Sequence, residues 1–148
     1  IADLDLPNEN TIAIHQLITL CYHLESVGDI AIKISSIHRR RRMTNSYFTP
    51  KMRTYLVEFQ NNLDQTTRIL NQNLNETQEE VSIKQAEFIE KTINTIYKSA
   101  EANLMKTIEK EKLLTTSALF YKDLIQNYEI LGDHLYKANA TIVKLKNQ

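Results

Sequence analysis

The chain has 148 residues, enough for one domain that buries a core of its own. Lys and Arg together number 18, as do Asp and Glu, so the overall charge favours neither nucleic acid nor a membrane surface as a partner. Two glycines, two prolines and a single cysteine argue against loop-rich, all-β and disulfide-bonded folds.

The first predicted helix runs from about residue 10 to residue 42 and is followed by a loop over residues 43–49. Apolar residues recur along this helix at alternating steps of three and four, the period of a helix that faces a core. Cys21 lies on an apolar side, which predicts a buried free thiol. The predicted core positions are Leu17, Leu20, Leu24, Val27, Ala31 and Ile34.

The second helix is predicted to begin at Pro50, because Thr49 is a favourable N-cap and proline suits the first helical position. A turn or kink is expected in the polar stretch 71–80, and a third helix from about residue 81 to residue 112. The predicted core positions are Tyr55, Phe59, Leu63, Thr66, Thr67 and Leu70 on the second helix, and Phe88, Ile89, Ile93, Ile96, Ala100, Leu104 and Ile108 on the third.

The last predicted helix runs from about residue 117 to residue 146, with Thr115, Thr116 and Ser117 as candidate caps. Together the four long helices predict an all-α, antiparallel up-and-down bundle that forms a single domain over residues 1–148. The predicted core positions of the last helix are Leu124, Tyr128, Leu131, Leu135, Ala138, Ile142 and Leu145.

Both glycines of the chain occur in the same short pattern, Glu-x-x-Gly-Asp, once at residues 25–29 and once at residues 129–133. Glycine inside a helix is about 1 kcal/mol worse than alanine. Two carboxylates one turn apart also repel each other by a few tenths of a kcal/mol. Because these unfavourable choices occur twice at the same helical register, they indicate a weak internal repeat and a site. The motif stripes are Ile18, Cys21, Glu25, Gly28 and Ile32 on the first helix, and Ile125, Glu129, Gly132 and Tyr136 on the last.

The four motif carboxylates are candidate metal ligands. If the first and last helices pack side by side, Glu25, Asp29, Glu129 and Asp133 form a cluster that must take up protons or bind a cation. Oxygen-only ligands suit hard ions such as Mg²⁺, Ca²⁺, Mn²⁺ or iron. The alternative is a set of solvated carboxylates beside glycines that allow tight helix packing.

Two histidines and a run of arginines complete the candidate site residues. As ligands, His23 and His134 would favour zinc or iron, and His134 is the better candidate because it follows Asp133 directly. Both are otherwise expected to be partly exposed side chains without a metal role. The run Arg39, Arg40, Arg41 and Arg42 either complements the dipole of the helix C-terminus or contacts anionic lipid headgroups or an acidic partner. Nucleic acid is disfavoured, because the rest of the chain supplies no basic face.

The two acidic runs resemble those of the PhoU family, whose helices carry a sequence close to Leu-Glu-Arg-Ile-Gly-Asp. The counterparts here are residues 24–29 and 128–133, with Ser26 and Ile130 in place of the usual arginine. Residues 48–51 and 119–125 are similar to the tail domain of bacterial sodium/phosphate cotransporters, a PhoU-like domain that follows the membrane region. The resemblance covers nearly the whole chain.

The resemblance implies a PhoU-like three-helix unit with an additional N-terminal helix. It also implies iron or zinc bound by the acidic motifs, with Glu90 and Asn94 as candidate additional ligands and with Mn²⁺ or Mg²⁺ as alternatives. The implied function is non-catalytic regulation of sodium-dependent phosphate uptake on the cytoplasmic side of the bacterial inner membrane. The implied partners are the membrane domain of the same transporter chain or phosphate-signalling proteins, with self-association as a further expectation.

Two other functions compete with this expectation. One is a structural or protein-interaction bundle in which the motif sets helix packing without a metal. The other is a metal-dependent hydrolase that acts on phosphates. The sequence carries no Gly-rich phosphate loop, no His-Glu-x-x-His motif and no paired cysteines, so we expect no enzymatic turnover.

Overall fold

The computed structural model describes residues 8–75, 77, 82–111 and 113–147, and within them the chain is built from helices alone. The helices are α1 (Asn8–Met43), α2 (Pro50–Asn75), α3 (Lys84–Glu111) and α4 (Thr115–Lys146). The predicted all-α class is therefore confirmed, and α2 ends within the stretch where a break was expected. No helix in the described ranges has both the length and the apolar character needed to cross a membrane.

The bundle is organised around α4, which packs against each of the other helices. Helices α2 and α3 also pack against each other, so α2, α3 and α4 form a three-helix unit. Among the described residues, helix α1 packs against α4 and not against α2 or α3, so it lies on the outside of this unit. It runs antiparallel to α4, because His38 near its end meets Tyr128 whereas the earlier His23 meets His134.

The turn between α1 and α2 is fixed by a C-cap and an N-cap. Asn45 has a positive φ of 50°, and the N–H of Ser46 donates to the carbonyl of Arg41 over 3.1 Å. This is the Schellman arrangement, in which a left-handed residue reverses the chain and satisfies the last helical carbonyls. Thr49 Oγ1 then accepts a hydrogen bond from the N–H of Met52, which confirms the predicted cap of α2.

The start of α4 differs from the prediction. Its N-cap is Leu114, and no side chain caps the helix there. Thr115 and Thr116 are exposed within the first turn, and the buried hydroxyl of Ser117 has no hydrogen-bond partner. The expected capping by these three residues is therefore wrong, because the helix begins before them.

The core of the three-helix unit follows most of the predicted positions on α2, α3 and α4. The exceptions are Thr67 on α2, which is exposed, and two residues on α3, where Phe88 is 72% exposed and Ile108 is also exposed. Their assignment to the core is therefore wrong. Phe59 stacks on Tyr128, and Phe48 from the α1–α2 turn meets Tyr121 edge to face. The side chains most fully buried include Ile37, Met52, Phe59, Ile93, Tyr121, Leu124, Ile125 and Ile142.

Helix α1 meets the core along a side that overlaps only partly with the predicted stripe. Leu20 and Ile34 are buried as expected, but Leu17, Leu24 and Ala31 are exposed. Cys21 is exposed as well, so the predicted buried thiol is wrong. The series that packs on α4 combines the predicted Leu20, Val27 and Ile34 with residues outside the predicted stripe. Its members are Leu20, His23, Val27, Ile30, Ile34 and Ile37.

A buried pair of amides fixes α2 against α4. Asn73 donates to the side-chain oxygen of Asn139 over 3.0 Å. The amide of Asn139 in turn donates to the carbonyls of Thr66 and Leu135. Because buried polar groups are costly unless hydrogen-bonded, this network favours one axial alignment of the two helices.

Candidate functional site

The motif on α4 lies against α3. Gly132 is buried, and a Cβ added there would stand 2.9 Å from Cδ1 of Ile93. Ile93 is itself a core residue that is 1% exposed. The glycine therefore allows α3 to approach α4 more closely than any other residue would permit.

The equivalent motif on α1 faces away from α4. A Cβ added at Gly28 would meet no atom within 4 Å, and both Glu25 and Asp29 are exposed. Ile18 and Ile32 on the same stripe are 65% and 71% exposed. We call this surface the open stripe. It consists of Ile18, Cys21, Glu25, Gly28 and Ile32.

The carboxylates of the α4 motif have charged neighbours on α3 and α4. Burial raises the pKa of the partly buried Glu129, and the charges of Asp133 and Glu90 raise it further, while Lys137 opposes them. Asp133 forms an ion pair of 2.7 Å with Lys137, one turn further along α4. Glu129 is therefore coupled electrostatically to Glu90 on α3 and to Asp133 on α4.

Glu25 and Asp29 on α1 do not belong to this acidic group, whereas Asn94 lies beside it. The groups that shift the pKa of Glu129 do not include Glu25 or Asp29. The side-chain amide of Asn94 donates to Oε1 of Glu90 over 2.5 Å. Among the residues that the structure describes, no three carboxylate, imidazole or thiol groups stand close enough together to hold a metal ion.

A pair of histidines joins α1 to α4 at the level of the motifs. Nδ1 of His23 and Nδ1 of His134 are 3.1 Å apart, so one ring donates a hydrogen bond to the other. His23 is buried, contrary to the expectation of partial exposure. Burial lowers its pKa, and the charges of His134 and Lys137 lower it further against the opposing effect of Asp133. The sequence marks both histidines as neighbours of the motifs, but their contact follows only from the pairing of α1 with α4.

The predicted arginine run lies at the end of α1. Arg40, Arg41 and Arg42 belong to its last turn, where cations complement the helix dipole. Arg39, Arg40 and Arg42 are exposed, whereas Arg41 is partly buried. None of the ion pairs formed among the described residues involves any of these arginines. Their charges are therefore available to a partner.

Comparison with protein-family models, with curated proteins and with solved structures gave no match. The resemblance to PhoU-like domains accordingly stays a prediction, carried by the two acidic runs.

Proposed function

We propose that the chain is a non-catalytic regulatory module that acts by packing the open stripe of α1 against a helix of a partner. The observation that carries the proposal is the contrast between Gly132, which α3 covers, and Gly28, which has no neighbour. Large exposed apolar surfaces mark interaction sites in soluble proteins. Further exposed apolar side chains on α1 extend this surface beyond the open stripe. They include Ile14, Leu17, Tyr22 and Leu24.

The internal repeat indicates what kind of partner the open stripe fits. Gly28 and Gly132 hold the same place in the two motifs, and α3 presents the branched aliphatic side chain of Ile93 to Gly132. The occupant that suits Gly28 is accordingly a helix that presents a similar side chain at the same register. Close packing of this type buries apolar area worth about 25 cal/mol per Å².

The resemblance to the tail domain of sodium/phosphate cotransporters supplies the proposed setting. There the module regulates sodium-dependent phosphate uptake from the cytoplasmic side of the bacterial inner membrane. The partner helix belongs to the membrane domain of the same transporter chain. A phosphate-signalling protein and a second copy of the chain are the other occupants that an experiment must distinguish.

The substitution Ile32→Glu should abolish the regulation of phosphate uptake. Ile32 is 71% exposed, so a glutamate there costs the isolated fold little. Burying that unpaired charge under a partner helix costs about 3 kcal/mol or more. The measurement is sodium-dependent uptake of radiolabelled phosphate in cells that carry the intact gene, before and after a shift to phosphate starvation.

Phe88→Glu is the matched control, since Phe88 on α3 is 72% exposed and lies outside the open stripe. Cells with Phe88→Glu should respond to starvation as the wild type does. If Ile32→Glu cells respond in the same way, the open stripe has no regulatory role. If light scattering shows a wild-type dimer that Ile32→Glu converts to a monomer, the occupant is a second copy of the chain.

Metal binding is a separate proposal, and we place any bound cation at the α3–α4 face. The support is the electrostatic coupling of Glu129 to Asp133 and Glu90, which a cation would relieve. Asn94 lies beside Glu90 and offers an amide oxygen. Asp133 would have to leave Lys137 to become a ligand. The second candidate function, an interaction bundle without metal, is favoured by this ion pair, because it already neutralises Asp133.

Glu129→Gln should lower the iron, zinc or manganese that the purified protein retains, whereas Glu25→Gln should leave it unchanged. The first variant removes a carboxylate from the acidic group, and the second removes one from the open stripe. The measurement is elemental analysis after equilibration with each metal and desalting. Equally low retention by the wild type and both variants would reject metal binding and leave the interaction bundle.

A further inference from the structure

The turn between α1 and α2 forms a concave pocket of about 390 Å³ at one end of the bundle. Three arginines line it, two from the last turn of α1 and one from α2. Asn45 and Tyr47 of the turn complete its polar wall. The pocket therefore differs from the arginine run of the sequence, because it includes Arg53 and leaves out Arg39 and Arg40.

Two of these arginines are held in place without any carboxylate. Nη1 of Arg41 donates to the carbonyl of Ser46 over 3.3 Å, and its guanidinium lies 4.8 Å from the centre of the Phe48 ring. Nη1 of Arg53 donates to the carbonyl of Phe48 over 3.1 Å, and its guanidinium lies 5.8 Å from the Tyr47 ring. Backbone oxygens and ring faces orient both groups but cancel neither charge.

The positive charge of the pocket is uncompensated among the described residues. No ion pair involves Arg41, Arg42 or Arg53, and the first turn of α2 contains no acidic residue. Nε of Arg41 is buried and has no hydrogen-bond partner. The positive charge also acts on the neighbouring His38. Burial lowers the pKa of His38, and the charges of Arg41 and Arg42 lower it further.

We propose that this pocket binds the phosphoryl dianion of a phosphate monoester or of inorganic phosphate. Guanidinium groups present planar forks of N–H donors that match the oxygens of a phosphoryl group. Arg41, Arg42 and Arg53 converge on one concavity from two helices, and the Asn45 turn fixes their spacing. A doubly charged tetrahedral oxyanion satisfies more of these donors than a carboxylate does.

Titration of the full chain with inorganic phosphate tests the proposal at constant ionic strength. We expect saturable shifts of the backbone NMR signals of residues 41–53 below about 10 mM phosphate. The bound anion should also raise the pKa of His38 back towards its ordinary value of 6.5, followed through its ring protons. Arg53→Gln should weaken binding about tenfold, the usual effect of losing a hydrogen bond between charged groups.

Arg39→Gln is the matched control, because it removes the same charge from the same basic end but lies outside the pocket. It should weaken phosphate binding less than twofold, because salt screens the interaction between the bound anion and an exposed charge outside the pocket. Arg53→Lys keeps the charge and loses the planar fork, so it should bind nearly as weakly as Arg53→Gln. Thermal unfolding of each variant shows that the fold is intact.

Vesicles distinguish the two sources of a phosphoryl group. Phosphatidylcholine vesicles with phosphatidic acid carry a phosphomonoester, whereas those with phosphatidylglycerol carry a diester at matched surface charge. Binding to phosphatidic acid that depends on Arg53 identifies a lipid headgroup. Saturable binding of free phosphate without vesicle binding identifies a soluble compound.

Three results would overturn the proposal. The first is an absence of both phosphate-dependent signal shifts and Arg53-dependent vesicle binding. The second is equal weakening by Arg39→Gln and Arg53→Gln, which would reduce the effect to general electrostatic attraction. The third is equal, Arg53-dependent binding to phosphatidylglycerol and phosphatidic acid vesicles, which would exclude recognition of the dianion.

Discussion

Gly28 and Gly132 occupy equivalent places in two copies of one motif, but their surroundings are opposite. Gly132 is buried against Ile93, whereas Gly28 faces open space. A glycine in a helix interior lowers stability unless something needs the room it provides. At Gly132 the requirement is visible in the approach of α3. At Gly28 no neighbour uses the space, and the proposed partner helix would fill it.

Gly28→Ala should stabilise the isolated chain by about 0.5–1 kcal/mol, because alanine is the better helix former and its Cβ meets no atom. Gly132→Ala should instead be neutral or destabilising by up to about 2 kcal/mol. There the same gain in helix propensity is offset by overpacking against Ile93. Urea unfolding monitored by circular dichroism measures both changes. A stabilising Gly132→Ala would mean that α3 lies further from α4 than described.

At the scale of the helix, α1 shows where sequence reasoning succeeds and where it fails. Its existence and approximate ends were predicted, because caps and the 3.6-residue period are local properties. The side that packs was predicted only in part. Leu20, Val27 and Ile34 were assigned correctly, whereas Leu17 and Leu24 repeat with the same period and are exposed. Hydrophobic periodicity identifies an amphipathic helix, but with apolar residues on both sides it does not say which side meets a neighbour.

The interface between α1 and α4 should make the bundle sensitive to acid. Burial lowers the pKa of both His23 and His38, so in the folded state each ring resists protonation. The unfolded chain then binds more protons below the ordinary value of 6.5, and stability falls as the pH drops through that value and the lowered folded-state values. Below the folded-state values the loss levels off. Urea unfolding at pH 7.5, 6.5 and 5.5 measures this trend.

His23→Gln should make the trend shallower, since it removes one of the two titrating rings and the hydrogen bond to His134. Glu129 has the opposite effect on the free energy of unfolding. Because its pKa is raised in the folded state, the folded chain binds more protons than the unfolded chain, and stability rises as the pH falls towards the ordinary value of 4.5. Unchanged stability between pH 7.5 and 5.5 in the wild type would contradict the burial of both histidines.

At the scale of the whole molecule, the sequence predicted the architecture better than the site. The three-helix unit and the added α1 agree with the expected arrangement, because long helices joined by short connections leave few ways to pack. The acidic group was predicted between α1 and α4, but the structure places Glu129 near Glu90 of α3. The rotation of a helix about its axis depends on long-range contacts, and the His23–His134 pair and Arg53 became meaningful only once those contacts were known.

The arginine-rich turn gives this electrically neutral molecule a polarity. Since the cationic and anionic side chains are equal in number, an uncompensated basic pole requires that the remainder of the chain carry the matching excess of negative charge. Because its net charge is zero, the molecule has little net electrostatic attraction to a charged surface. Its uneven charge distribution nevertheless orients it in the electric field of that surface. Near an anionic layer its basic end would therefore turn towards the layer.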